Sequence, residues 1–431
     1  MKNFADIGIC RQLTEKVAER GIKEATEVQE RTIPAIASGA DIAFRSATGT
    51  GKTFAYLLPL SQLIATPPEG SAPPSFARGP VLVIVAPTYE LCAQIKAEAD
   101  FLFSAFEKAP KAALLTGDAN ISRQIDRLKS EKPAVVVGTP GRMIQLERMG
   151  KLKLHSVRFL ILDEADRLIA DELRELTEQL ISILPGDRQT IACSATLTRK
   201  AREQLAAFLR PEALREDIDD AQVLRTMIEH WAFYCEGRKK IMALRSFLLA
   251  AKGEKTLVFT DRGGQVGNIL GQLRHHDVNA TGIFGDMGKV ERKKAIDDFR
   301  AGRAKVLVTS DLSARGLDIT DVTHVVALDV PETPEAYAHR AGRTARAGRR
   351  GVMATFGDEL ELPRLAALEK KLGIVVYPKA LFGGKIVAPM PVDEDATEAP
   401  AEDIEREAGP DRGQRPNPEK RPAKRRSDRR G

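Results

Sequence analysis

Two tandem α/β domains, each a mostly parallel sheet covered by helices on both faces, are what this 431-residue chain predicts. Three observations carry that expectation. Short apolar runs of strand length alternate with helix-length stretches in the first half, and the scheme repeats in the second. Apolar strands with intervening helices bury both faces of a parallel sheet. The length suits two or three domains at roughly 100–200 residues each, and 43% apolar residues are enough for separate cores. The longest apolar runs, such as residues 81–86, are strand-sized, so no segment is expected to span a membrane.

In chain order, the first half predicts strands over residues 42–45, 81–86, 112–116, 134–138, 159–162 and 190–193. Helical patterns over 54–63, 91–106 and 172–183 separate several of them. The second half predicts strands over 256–260, 281–284, 306–310, 325–328 and 351–355, with helices over 238–249, 266–275 and 289–300. Trp231–Tyr234 (WAFY) alternates and reads as the strand that opens the second half, although its aromatics also suit base stacking. The expected domains are 1–208 and 226–382, joined by a linker over 209–225. The stretch 67–80, rich in Pro, Gly and Ser, is expected to be a surface loop. A tail over 383–431 turns polar, with disorder expected from residue 387 onward.

Charge and cysteine usage narrow the classes. The net charge is +6, but residues 391–411 hold nine acids against one base, and residues 412–431 hold nine bases against two acids. The tail is therefore an acidic block followed by a polycation, which attracts polyanions in a salt-dependent way. Cys10, Cys92, Cys193 and Cys235 are far apart, with no CxxC pair. This argues against a zinc ribbon, an iron–sulfur site and a disulfide scaffold. The N-terminus, MKNFADIG, lacks the pattern of a secretory signal. His155, His230, His275, His276 and His324 have no metal-ligand spacing.

Four segments carry chemistry. Residues 46–53 read SATGTGKT after a predicted strand. Glycines there let backbone N–H groups curl around phosphate oxygens at a helix N-terminus. Lys52 can then reach the β and γ phosphates, and the Thr53 hydroxyl can hold magnesium. Residues 159–166 read FLILDEAD, a buried strand ending in acids. Asp163 is placed to bind magnesium through water, and Glu164 to orient or deprotonate an attacking water. The same acids would also suit a helix start facing solvent. Residues 337–349 read YAHRAGRTARAGR, in which Arg340 and Arg343 share a helix face and can clamp phosphate oxygens. A basic helix facing nucleic acid fits that segment too. Residues 310–318 read SDLSARGLD, putting Asp311, Arg315 and Asp318 at the edge of a sheet where α/β sites form.

Together these segments resemble the DEAD-box ATP-dependent RNA helicases of superfamily 2, over about residues 4–375. The resemblance implies two RecA-like domains that close over ATP, Mg2+ and RNA. It implies that Gln29 and Thr26 read the adenine, with Phe4 as the upstream aromatic. Ala47, Thr48, Gly49, Thr50, Gly51, Lys52 and Thr53 would cradle the phosphates, with Asp163 and Thr53 holding the metal mostly through water. Ser194 and Thr196 of CSAT, with His339, would couple hydrolysis to strand separation. Asp311 would meet the ribose, and Arg340 and Arg343 the γ phosphate. RNA contacts would come from Pro87, Thr88, Gly117, Thr139, Pro140, Gly141, Arg142, Arg262, Thr309, Arg315 and Gly316. These types suit phosphate and ribose contacts that position a strand without reading its sequence.

The chain departs from the family pattern at Ala25, Tyr89, Asp118, Phe284, Lys289, Ala341 and Ala345. None of these removes a metal or phosphate ligand, so ATPase activity is expected to survive. The expected function is RNA-stimulated ATP hydrolysis driving local, non-processive unwinding or remodelling of RNA duplexes or RNA–protein complexes. The same resemblance suggests a cytoplasmic monomer working with ribosome-assembly or RNA-decay proteins. A clamp that turns over poorly, a DNA translocase and a tail-driven nucleic-acid binder are the rival readings.

Overall fold

The computed structural model of the chain describes residues 2–46, 49–66, 76–218, 221–252, 254–261, 263–285, 287–311, 319, 321–345 and 349–389. The first lobe runs α1 (Arg11–Ala18), α2 (Glu27–Ala37), β1 (Ile42–Arg45), α3 (Lys52–Ala65), β2 (Leu82–Val85), α4 (Tyr89–Phe103), β3 (Ala112–Leu115), α5 (Ile121–Glu131) and β4 (Val135–Gly138). It continues through α6 (Pro140–Arg148), β5 (Phe159–Asp163), α7 (Ala165–Leu168), α8 (Asp171–Ser182), β6 (Gln189–Ser194), α9 (Arg199–Ala206) and β7 (Leu214–Asp217). All seven strands are parallel, in the order β3-β4-β2-β5-β6-β1-β7.

Strand alternation builds two cores from one sheet. Ile42, Phe44, Leu82, Ile84, Phe159 and Ile161 pack on one face, while Ala43, Val83, Val85, Leu160 and Leu162 pack on the other. Successive side chains leave a strand on opposite faces. Both faces are covered, so these strands read as unbroken apolar runs rather than alternating ones. Removing a side chain such as Ile161 would cost about 2–5 kcal/mol.

The second lobe runs α10 (Ala221–Met227), β8 (Ile228–Tyr234), α11 (Lys240–Ala250), β9 (Thr256–Phe259), α12 (Val266–His275), β10 (Ala280–Ile283), α13 (Lys289–Arg300), β11 (Val306–Thr309) and β12 (His324–Ala327). It ends with α14 (Pro334–Ala341), β13 (Gly351–Gly357), α15 (Leu362–Leu372), β14 (Val376–Phe382) and β15 (Lys385–Val387). Its order is β10-β11-β9-β12-β13-β8-β14-β15, parallel except for the final β14–β15 hairpin. Trp231–Tyr234 lies inside β8, as its alternation predicts. Short polar side chains fix helix starts: Thr88 accepts from Leu91 N–H to begin α4, and Thr333 does the same for α14, with Pro334 at the first helical position.

Two boundaries differ from expectation. The stretch 209–225, expected as a linker, contains β7, which pairs with β1 and finishes the first sheet. Its sequence LRED has no apolar pattern because it is an edge strand that exposes most of its surface. The expected tail begins too early at 383, because Gly383 and Gly384, both at positive φ, turn the chain into β15. Residues 390–431, with both charge blocks, and residues 67–75 of the loop expected over 67–80 lie outside the described residues. Among the described residues no helix is long and apolar enough to cross a membrane.

Candidate nucleotide and RNA site

Strand order divides the carboxyl edge of the first sheet into two halves. β1, β5 and β6 are neighbours, so the segments that follow them meet: the glycine loop, Asp163–Asp166 and Ser194–Thr196. β3, β4 and β2 form the other half, ending in Gly117, Thr139–Arg142 and Pro87–Thr88. Parallel strands put every such end on one edge, where α/β proteins bind ligands.

The glycine loop is tied down from two sides. Lys52 Nζ donates to the Ser46 carbonyl at 2.7 Å, and the Ser46 and Thr50 hydroxyls are 2.6 Å apart. Gly51 sits at φ +94°, and a Cβ there would stand 2.4 Å from Gln29 Nε2, so only glycine fits. Gln29 donates to the Gly51 carbonyl at 3.1 Å and accepts from Thr26 N–H at 3.0 Å. Ala25 replaces the usual proline, and its N–H, which proline would lack, donates to the Lys2 carbonyl at 2.9 Å. Phe4 departs from expectation. It is fully buried in the core beneath α2, so its ring is not presented to a base. Ala47 and Thr48 lie outside the described residues.

The acids at the end of β5 are held by their neighbours. Asp163 accepts from the Tyr56 hydroxyl at 2.8 Å, the Glu164 N–H at 2.9 Å and the Cys193 thiol at 3.3 Å. Burial pushes the Cys193 thiol well up, so it stays protonated and remains a donor. Glu164 takes the left-handed conformation at φ +51°, which turns the chain sharply from β5 into α7 at a cost of about 1–2 kcal/mol. Burial raises its carboxyl above the usual carboxylate range, opposed by Arg167, whose guanidinium donates to it at 3.1 Å. Arg343 of the second lobe also favours the ionised form. Asp166 accepts from Ser194 Oγ at 2.6 Å and from Thr196 Oγ1, so β5 and β6 share one polar network. All-oxygen donors beside a phosphate loop fit a magnesium–nucleotide pair rather than a thiol-bound metal.

In the second lobe the structure corrects two assignments. Arg340 is 2% exposed, and its guanidinium is consumed within its own lobe. It donates to Asp311 at 2.8 and 2.6 Å, to the Asp329 carbonyl at 3.0 Å and to Asp261. A buried guanidinium needs compensating acceptors. Arg340 is therefore not poised as a γ-phosphate clamp, and Asp311 is its counter-ion rather than a free ribose ligand. Arg343, one turn on, is the arginine whose charge favours the ionised form of Glu164. Ala345 replaces a family glycine at φ +56°, where an L side chain is strained. His339 is half-buried on α14, and Arg346 lies outside the described residues.

The other half of the edge is mostly backbone and small side chains. Arg142 donates to the Gly117 and Ala119 carbonyls, both at 3.0 Å, and so joins the loops after β3 and β4. Gly138 permits that approach, since a Cβ there would meet the Leu115 carbonyl at 2.0 Å. Gly117 is exposed, Thr139 and Gly141 are half-exposed, and Pro87 and Thr88 edge the same surface. Pro140 and Thr309 are buried, so their side chains do not reach a strand of RNA. Arg262, Arg315 and Gly316 lie outside the described residues. Sequence reasoning missed Tyr56, Cys193, Asp166, Asp261 and an ion pair between lobes, Arg292 to Glu90 at 2.9 Å. Only Tyr56 carried a usable signal: it lies three residues after Thr53, on the same helix face.

Comparison with known proteins agrees with this geometry. The DEAD/DEAH box helicase model matches residues 26–205, and the helicase conserved C-terminal domain matches residues 239–348. The DEAD-box ATP-dependent RNA helicase CshC of Bacillus cereus is 36% identical over 371 residues, 86% of this chain and 92% of that protein. The probable ATP-dependent RNA helicase YfmL of Bacillus subtilis is 35% identical over 367 residues, 85% of this chain and 93% of that protein. The structure of S. cerevisiae Dbp5 bound to RNA and ADP BeF3 superposes with a TM-score of 0.75 at 27% identity, covering 88% of this chain and 96% of that one. Two tandem RecA-like lobes with a phosphate loop in the first define a nucleoside-triphosphate-driven helicase core. The chain belongs to the DEAD-box family of ATP-dependent RNA helicases.

Proposed function

We propose that the chain couples ATP hydrolysis, stimulated by RNA, to local and non-processive opening of short RNA duplexes or remodelling of RNA–protein complexes. The observation that carries this reading is that the glycine loop with Lys52 and the acids Asp163 and Glu164 end at one edge of the first sheet, with Arg343 of the second lobe near enough to favour the ionised form of Glu164. Lys52 exchanges the Ser46 carbonyl for a substrate phosphate. Gln29 and Thr26 border the loop where the adenine of ATP would lie. Magnesium, held by Thr53 and Asp163 through water, would neutralise the phosphate charge. Glu164 orients the attacking water, and Arg343 stabilises charge developing on the terminal phosphate.

RNA runs over the half-edge formed by Pro87, Thr88, Gly117, Thr139, Gly141 and Arg142, which suits sugar–phosphate contacts. Asp166, bonded to Ser194 and Thr196, ties the ends of β5 and β6 together within the hydrolytic half. The reading extends to a monomer in the cytoplasm, with ribosome-assembly or RNA-decay proteins as partners. Steady-state hydrolysis with and without single-stranded RNA tests it, with Lys52→Ala as control. RNA should accelerate turnover, and Lys52→Ala should lower it by about a hundredfold or more. Turnover indifferent to RNA would defeat the proposal, and equal unwinding of matched DNA duplexes would defeat its RNA preference.

A further inference from the structure

Asp163 is gripped by two side chains that have no part in the reading above. Tyr56, on the first turn of α3, donates to Oδ2 at 2.8 Å. Cys193, near the end of β6, donates to Oδ1 at 3.3 Å, beside the Glu164 N–H at 2.9 Å. Thr53 lies three residues before Tyr56, on the same face of α3. An ionised carboxylate offers about four lone-pair directions. Three donors therefore fix its plane and leave Oδ2 a direction for a further partner. Tyr56 and Cys193 are both fully buried, so packing locks their rotamers. Phenylalanine would fill the same space, and a buried hydroxyl is costly unless it is hydrogen-bonded. The hydroxyl is thus matched to the oxygen it meets, Asp163 Oδ2.

We propose that Tyr56, supported by Cys193, is a positioning residue for magnesium, fixing the Asp163 carboxylate before the metal–nucleotide arrives. The inference rests on the reading that Asp163, with Thr53, holds the metal. Magnesium demands near-octahedral oxygen geometry, so the mutual placement of the ligands counts. Groups that orient such ligands from behind change metal affinity by about 10–100-fold when removed.

The test uses the full chain and a fluorescent ADP, titrated over a series of magnesium concentrations and in excess EDTA, with thermal melting alongside. Wild-type binding should tighten with magnesium. Tyr56→Phe should need about tenfold more magnesium for half-maximal effect, with binding in EDTA and the melting midpoint close to wild type. Cys193→Ala should shift the requirement less in the same direction, and Cys193→Ser, which keeps a donor, should restore it. Wild-type binding indifferent to magnesium would remove the metal reading itself. Magnesium-dependent wild-type binding with an unshifted Tyr56→Phe would remove only the role of Tyr56. A shift equally large in EDTA would show general loosening and also overturn it. Should Tyr56→Phe fail to melt cooperatively, identical magnesium requirements in Cys193→Ala, Cys193→Ser and wild type would overturn the proposal.

Discussion

Arg340 and Arg343 are three residues apart in one motif, yet they meet different fates. Arg340 is surrounded by Asp311, Asp261 and the Asp329 carbonyl inside its own lobe, while Arg343 senses Glu164 of the other. Their substitutions should separate cleanly. Arg340→Ala strands two carboxylates and should cost about 3–5 kcal/mol of stability, read by denaturant unfolding. Arg343→Ala should cost less stability than Arg340→Ala and cut RNA-stimulated turnover by about a thousandfold. Equal loss of stability in both would mean that Arg343 is structural too. The repeat of arginines was legible in the sequence. Which of them would be buried was not, because Asp261 and Asp311 lie just past the ends of β9 and β11, 79 and 29 residues from Arg340.

At the scale of elements, α14 is anchored by β8 and α10. His230 on β8 bonds the Tyr337 hydroxyl at 2.9 Å through Nδ1 and the Leu224 carbonyl at 2.8 Å through Nε2. Burial lowers the pKa of His230, partly offset by the Leu224 carbonyl and by Glu369, and burial lowers His324 on β12 as well. Below the ordinary histidine value of about 6.5 the unfolded chain binds more protons than the folded one. These histidines therefore contribute stability that is complete above that value and is lost as pH falls toward their depressed folded values. The melting midpoint should drop between pH 7 and 5, and His230→Gln should flatten part of that slope. An unchanged slope in the variant would exclude His230 as a source. Strand and helix positions in both lobes were legible because apolar runs and helical periodicity are local. The charged strand β7 and the β14–β15 hairpin were not, since edge strands lack the apolar run that marks a central one.

For the whole molecule, the Arg292–Glu90 pair is a direct tie between the lobes, with each side chain 25% exposed. Glu90→Arg and Arg292→Glu should each weaken RNA-stimulated turnover, and the double swap should recover most of it, a coupling of about 1 kcal/mol. Additive losses would show that the two residues act separately. Such a tie fits a protein whose reaction needs both lobes at one nucleotide.

The sequence by itself determined two parallel-sheet lobes, the phosphate loop, the acids of DEAD and the family, because each is written in contiguous residues whose spacing dictates local backbone. The tertiary structure alone decided which side chains stand around those residues. It put Tyr56 and Cys193 on Asp163, spent Arg340 on Asp311 and buried Phe4. These contacts join elements far apart in the chain, and only strand order, which no local pattern encodes, brings them together.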